Sequence, residues 1–136
     1  MKRSLNICAC VLAVTGCAAT GGQSDADASA TKAEYRAAVR AYQDCVVTAS
    51  ETYAKRADLV PQDIADASLS DCSEKSARAR KIAAVSLQSA AANADSVALM
   101  IEARNQARQL YADLQESMRK LAVSTALKTR AALSQN

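Results

Sequence analysis

Three residue types that often carry chemistry or fill protein cores are missing from this chain, which has no histidine, no tryptophan and no phenylalanine. Without histidine, both the commonest metal ligand and the usual general base are absent. Without phenylalanine and tryptophan, a core must be built from small aliphatic residues and four tyrosines. We therefore expect no catalytic centre, no metal site and no cofactor, and a shallow core of modest stability.

Residues that interrupt regular backbone structure are equally scarce. There are three glycines, the last of them Gly22, and one proline, Pro61. A chain with so few breakers and so much alanine is typical of helical proteins. The lack of glycine after Gly22 also argues against a tight nucleophile elbow or a phosphate-binding loop.

The N-terminal apolar run is too short to cross a membrane. Residues 5–14 are mostly apolar and would span ~15 Å as a helix, half of a ~30 Å hydrocarbon core. Lys2 and Arg3 place positive charge before this run, and small residues follow it. This order of features indicates a secretory signal peptide.

The apolar run leads directly into a cysteine. The residues Val14-Thr15-Gly16-Cys17 resemble the lipobox of bacterial lipoprotein precursors, in which a small residue precedes the cysteine. Val14 stands where leucine is commoner, and the resemblance covers residues 1–17 only. It implies that residues 1–16 are a signal peptide cleaved between Gly16 and Cys17. It also implies that Cys17 carries a diacylglycerol and a further acyl chain such as palmitate, and two or more chains anchor a protein stably.

The same resemblance predicts a location in the bacterial cell envelope. Ala18 follows the cysteine, whereas aspartate at that place tends to retain lipoproteins at the inner membrane. We therefore expect the periplasmic face of the outer membrane, with the inner membrane as the alternative. Residues 17–30 contain Gly21-Gly22 and then Ser, Asp and Ala, and we expect the lipidated cysteine and a flexible tether spanning roughly 20 Å there.

The mature chain is close to neutral. Removing Lys2 and Arg3 with the signal leaves 15 basic residues against 14 acidic residues, a formal charge of +1. This balance lacks the basic footprint of nucleic-acid-binding proteins, so we expect no nucleic-acid partner. The expected partners are the membrane, through the lipid on Cys17, and an envelope protein or a second copy of the chain.

Residues 31–136 are expected to form one helical domain. A capping-box pattern at residues 31–34 opens a first helix, which should end near Asp58. Pro61 suits the first turn of a second helix that runs over residues 61–92. A third helical stretch covers residues 95–132, and the sequence leaves open whether the second and third helices are separate or form one continuous rod.

Small and apolar residues recur on these helices at three- and four-residue spacing. The predicted inner faces are Tyr35, Ala38, Tyr42, Cys45, Ala49 and Tyr53 on the first helix, Ile64, Ser68, Cys72, Lys75 or Ser76, Ala79 and Ile82 on the second, and Met100, Ala107, Tyr111, Leu114, Met118 and Leu121 on the third. The cations of the third stretch, Arg119 and Arg130 among them, are expected to face solvent.

Cys45 and Cys72 are equidistant from the predicted turn before Pro61. Residues equidistant from the turn of an antiparallel hairpin face each other, so one register brings the two sulfurs level and also aligns the inner faces of the two helices. We predict a structural disulfide between Cys45 and Cys72, with two buried free thiols as the alternative. The expected fold is all-α: a disulfide-linked antiparallel helical hairpin plus a third long helix, which makes a three-helix bundle if the second and third helices are separate.

One group of cations is a candidate contact patch for anionic lipid or an acidic partner, although a solvated helix face is the simpler interpretation. This basic patch comprises Lys75, Arg78, Arg80 and Lys81.

We expect a non-enzymatic, lipid-anchored envelope protein with a structural or protein-interaction role. The alternative is an anchored binding module, such as an accessory subunit or an inhibitor of a periplasmic partner.

Overall fold

The computed structural model describes residues 21–92 and 96–135. The described residues form four helices: α1 (Gly21–Ala54), α2 (Pro61–Asp71), α3 (Ser73–Ala92) and α4 (Val97–Leu133). No strand occurs in these two ranges. The predicted all-α class is therefore confirmed.

The first helix is longer than the sequence indicated. We expected a flexible tether up to residue 30, but α1 begins at Gly21 and continues through Thr31 without interruption. No proline lies in this stretch, and helix propagation from an established segment adds a hydrogen bond for each residue fixed. Helix α1 therefore begins ten residues before the predicted capping box at Thr31.

The turn and the start of the second helix match the prediction, but the predicted single helix is divided into α2 and α3. Pro61 occupies the first turn of α2, where a missing N–H costs nothing. The expected single helix over residues 61–92 is interrupted at Cys72, whose backbone angles of φ −94° and ψ 14° depart from helical values. Serine and aspartate around this point compete for backbone hydrogen bonds and weaken helix. Hydrogen bonds from Cys72 N to Ser68 O (3.2 Å) and from Ser76 N to Cys72 O (3.1 Å) nevertheless bracket the break.

The chain after residue 72 forms two helices and not one continuous rod, because the helical backbone is interrupted at Ser96. Helix α3 ends at Ala92, and α4 begins at Val97. Ser96, immediately before α4, is extended, with φ −131° and ψ 118°. Helix α4 then packs against α1, α2 and α3, so α3 and α4 are separate helices.

The core of the described residues consists of two clusters built largely from small residues. The larger cluster joins α1, α2 and α4 and contains Tyr42, Val46, Ala65, Cys72, Met118 and Ala122. The smaller cluster lies nearer the α1–α2 loop and contains Ala54, Ile64 and Ala126. Tyr42 is the largest fully buried side chain, as expected for a chain without phenylalanine or tryptophan.

The buried stripe of α1 differs from the predicted one in its second half. Val46, Ser50 and Ala54 are buried, whereas Cys45 and Ala49, which the periodicity assigns to the inner face, are only partly buried. Helix α1 contacts α4 as well as α2 and α3. Its most buried line is therefore not set by α2 and α3 alone.

Candidate functional site

The residues of the predicted signal and lipid site, Gly16 and Cys17, lie outside the described residues. Within the described ranges, no helix is long and apolar enough to span a membrane. The same ranges contain no group of three or more Cys, Asp or Glu side chains placed to hold a metal ion.

The predicted disulfide is present. Cys45 and Cys72 are bonded, with their Cα atoms 5.9 Å apart. Cys72 is 1% exposed and belongs to the larger core cluster, so the bond joins the middle of α1 to the junction of α2 and α3. Helices α1 and α2 also contact each other about one turn from the disulfide, where Ser50 Oγ lies 3.0 Å from Ser68 Oγ. A second contact therefore joins α1 to α2 beside the disulfide.

The buried serines of this interface are satisfied by hydrogen bonds. Ser50 Oγ lies 2.7 Å from the carbonyl oxygen of Val46, and Ser68 Oγ donates to the carbonyl oxygen of Ile64 at 2.7 Å. A hydroxyl that bonds the carbonyl one turn earlier is held on its own helix. These serines therefore pack as small residues of the core.

A polar network connects α1, α3 and α4 next to the disulfide. Tyr42 donates its hydroxyl proton to Gln115 Oε1 at 3.2 Å, and Gln115 Nε2 donates to Ser76 Oγ at 2.6 Å. The Ser76 hydroxyl also lies 3.1 Å from the Tyr111 hydroxyl. Burial raises the pKa of the Tyr42 phenol, although its hydrogen bonds with Ser76 and Gln115 act in the opposite direction. This network joins side chains of three helices.

The outer end of this network opens into a groove between α3 and α4. The groove has a volume of about 430 Å³ and is open to solvent. Arg80 lies along it, with its guanidinium carbon 5.1 Å from the centre of the Tyr111 ring, within the range of cation–π attraction. Ser76 and Gln115 contribute polar groups at its floor, and Lys81 a second cation at its rim. The groove could receive a ligand with both a negative charge and an apolar part.

The four cations of the basic patch are all exposed on α3, but they line different surfaces. Arg80 lies in the α3–α4 groove. Arg78 lines a separate groove of about 410 Å³, together with Glu34 and Thr31 of α1. Lys81 borders both grooves, and Lys75 lines neither of them. The cluster seen in the sequence is therefore distributed around the helix.

Arg130 is a residue whose role the sequence pattern missed, because we had assigned it to the solvent face. Its guanidinium donates to the carbonyl oxygens of Ala54 at 3.2 Å and Arg56 at 2.7 Å, and also to that of Leu59. These carbonyls belong to the end of α1 and the loop that follows, where helical partners are lacking. Arg130 thus fastens the end of α4 to the α1–α2 loop.

Arg119 is exposed, as expected, but it also has a partner on another helix. It forms an ion pair with Asp66 of α2 at 2.6 Å. Both side chains of the pair remain about half exposed, so the pair adds little to stability. A sequence offers no periodic signal for such contacts, since they depend on which helix lies opposite.

No protein-family model matches this chain, and no curated protein or solved structure is similar to it.

Proposed function

We propose that this protein is a lipid-anchored component of the bacterial cell envelope with a non-enzymatic structural or protein-interaction role. The observation that carries the proposal is the order of features at the N-terminus: Lys2 and Arg3, a short apolar run, and Val14-Thr15-Gly16-Cys17. In this proposal Cys17 becomes the first residue of the mature chain and carries the acyl chains. The domain that follows is held at the membrane surface.

The internal disulfide supports an exported location. Disulfides form and persist in oxidising compartments such as the periplasm and are rare in the reducing cytosol. The bond between Cys45 and Cys72 would therefore be expected of a chain that leaves the cytoplasm. It also suits a domain whose core is dominated by small residues, since such domains gain proportionately more from a covalent link.

The proposed arrangement of the domain is a hairpin with one further helix. Helix α1 forms one leg, α2 and α3 together form the antiparallel second leg, and α4 returns alongside both. The contacts of Ser50 with Ser68 and of Tyr42 with Gln115 support this arrangement. In this arrangement we expect the protein to bind its partners through its outer surfaces rather than in an interior cleft.

Fractionation of cells tests the anchor. Cys17→Ala should move the protein from the membrane fraction to the soluble fraction and abolish metabolic labelling with palmitate. The matched control is Cys8→Ala with Cys10→Ala, which removes two cysteines from the apolar run but keeps the lipobox, and it should remain labelled and membrane-bound. An unlabelled parent protein that washes off membranes would overturn the proposal.

The proposed membrane is the outer one, because Ala18 rather than aspartate follows the cysteine. Ala18→Asp should shift the protein to the inner-membrane fraction of a density gradient, whereas Ala18→Ser should leave it in the outer-membrane fraction. A parent protein found in the inner-membrane fraction would contradict this location without contradicting the anchor.

A second candidate is an anchored binding module, such as an accessory subunit or an inhibitor of a periplasmic protein. The groove between α3 and α4, with Arg80 beside Tyr111, favours it. A photo-crosslinker at Ala84 in this groove should capture one defined partner in intact cells, and Arg80→Gln should reduce that capture. The control position is Lys120, which is exposed and paired with Glu116 on the outer side of α4.

A further inference from the structure

The first turn of α4 is apolar on every side. Residues 97–101 read Val-Ala-Leu-Met-Ile, and all five are exposed. Val97 is 74% exposed and Ile101 is 54% exposed. A helix segment that is apolar all round is normally covered, and contiguous exposed apolar patches mark interaction surfaces. We call residues 97–101 the α4 tip.

The helix contacts place the α4 tip at one end of the molecule. Helices α1 and α4 run in the same direction, because Gln115 meets Tyr42 while Arg130 meets the end of α1 at Ala54. Residue 115 of α4 lies level with residue 42 of α1, so the two helices are aligned with a difference of 73 in residue number. The same difference places the α4 tip, residues 97–101, level with residues 24–28 of α1. These residues belong to the first turns of α1, at the opposite end from the α1–α2 loop.

The start of α1 is also where the proposed lipid anchor joins the domain. Only three residues separate Cys17 from Gly21, and four chain steps reach at most ~14 Å. An acylated Cys17 would therefore hold this end of the domain, and not the loop end, against the bilayer. The α4 tip would face the same membrane surface.

We propose that the α4 tip enters the head-group region of the membrane that holds Cys17, so that the domain has a second, non-covalent contact with lipid. This inference rests on the proposed lipid anchor. Five helical residues extend ~7.5 Å, which matches the ~5–10 Å depth reached by apolar faces at the membrane interface. The free N–H groups of a first helical turn can be satisfied by water and phosphate in that region, but not in the hydrocarbon core.

Charge on the same face of α4 supports lipid as the occupant. Val97, Ile101, Arg104 and Arg108 follow one another at four- and three-residue spacing and therefore share a face, and all four are exposed. Apolar side chains at the end of the helix, followed by arginines one and two turns further along, suit an apolar layer beneath anionic head groups. A protein partner or a second copy would not require this order along the helix.

The absence of tryptophan gives a clean probe. Ile101→Trp introduces a single tryptophan at the α4 tip, and Leu127→Trp introduces one at a position of nearly equal exposure (53% against 54%), near the other end of α4. The acylated full-length mature proteins are reconstituted into vesicles of phosphatidylethanolamine and phosphatidylglycerol. The fluorescence of the Ile101→Trp protein should shift to the blue and be quenched by lipids brominated on their acyl chains, whereas that of the Leu127→Trp protein should not.

The intact mass of the same preparation separates the two proposals. If Cys17 is acylated and the protein is membrane-bound, but brominated lipids quench neither tryptophan, the inference about the α4 tip is wrong and the lipid anchor stands. A blue shift without vesicles that grows with protein concentration would assign the α4 tip to a second copy and would also overturn the inference. If Cys17 carries no lipid, the proposed function fails and the inference fails with it.

Discussion

The hydroxyl of Tyr42 meets the amide of Gln115 across the interface between α1 and α4, at a distance of 3.2 Å. The Tyr42 side chain is fully buried, so this hydroxyl has no access to water. Gln115 extends the connection to Ser76 of α3, and one chain of polar groups therefore links three helices. A core made mainly of alanine permits many alignments of its helices, and the need to satisfy these buried groups favours one of them.

Tyr42→Phe should lower the free energy of unfolding by about 1–2 kcal/mol, because it removes the hydroxyl donor and leaves Gln115 Oε1 without its partner. Urea denaturation followed by circular dichroism measures the change. Tyr35→Phe, at a half-exposed tyrosine on the same helix, is the control and should change stability by less than ~0.5 kcal/mol. Equal losses in the two variants would show that the Tyr42 hydroxyl has no special role.

The tyrosines also predict a loss of stability at alkaline pH. Burial raises the pKa of Tyr42 above its ordinary value of about 10. The neutral phenol therefore stabilises the fold fully below about pH 10, and this contribution disappears as pH rises through the folded-state pKa. Burial also raises the pKa of Tyr35, and the hydrogen bond to Asp71 raises that of Tyr53, so several groups act in the same direction.

Urea denaturation at a series of pH values from about 8 to about 11 tests this dependence. The free energy of unfolding should fall across the alkaline half of the series, and the fall should be smaller in Tyr42→Phe than in the parent protein. A parent protein whose stability rises above about pH 10 would contradict the sign of the effect.

The disulfide is expected to supply a large share of the stability. Cys45 and Cys72 are 27 residues apart, and closing a loop of this length stabilises a protein by about 3.5 kcal/mol in the chain-entropy model. Cys45→Ala combined with Cys72→Ala should therefore shift the denaturation midpoint strongly towards lower urea. Reduction of the parent protein should produce a similar shift, whereas reduction of the double variant should produce none. A double variant as stable as the parent would mean that helix packing alone holds the hairpin.

Arg130 provides a test of the contact between α4 and the α1–α2 loop. Arg130→Ala leaves three carbonyl groups without their donor and should cost about 1.5–3 kcal/mol. Arg130→Lys should recover only part of this loss, because a lysine lacks the planar fork that reaches several carbonyls together. Lys128→Ala, two residues away and exposed, should be nearly neutral. If both alanine variants behave alike in urea, Arg130 is only a solvated surface residue.

Local signals in the sequence were sufficient for the helical class, for the start of α2 at Pro61 and for the disulfide. Each of these depends on residues near one another along the chain or on a simple hairpin rule. The pairing of Cys45 with Cys72 followed from their equal distance from the turn, and this rule holds whatever else packs against the two helices.

Features that depend on α4 could not be derived in this way. The buried line of α1 passes through Val46 and Ser50 because α4 covers that helix in addition to α2 and α3, whereas the predicted inner face took only the second leg of the hairpin into account. Arg130 resembles a surface cation until the loop carbonyls near Leu59 are placed beside it. The break at Cys72 was also not predicted. The serine and aspartate residues around it weaken the helix, while backbone hydrogen bonds continue on both sides of the break.

Some features of the candidate site could be predicted from the sequence, and others could not. The proposed lipid signal at Cys17 is a linear motif, so it can be proposed from the sequence without knowledge of the fold. The groove beside Tyr111 and the distribution of the basic patch over two surfaces arise only when α1 and α4 are placed against α3.

The most direct test of the account is mass spectrometry of the N-terminal peptide of the protein purified from bacterial membranes. The account predicts a peptide that begins at Cys17, with a diacylglyceryl group on sulfur and an acyl chain on the amino group. A mature chain that begins at another residue, or that begins at Cys17 with a free thiol, would contradict it.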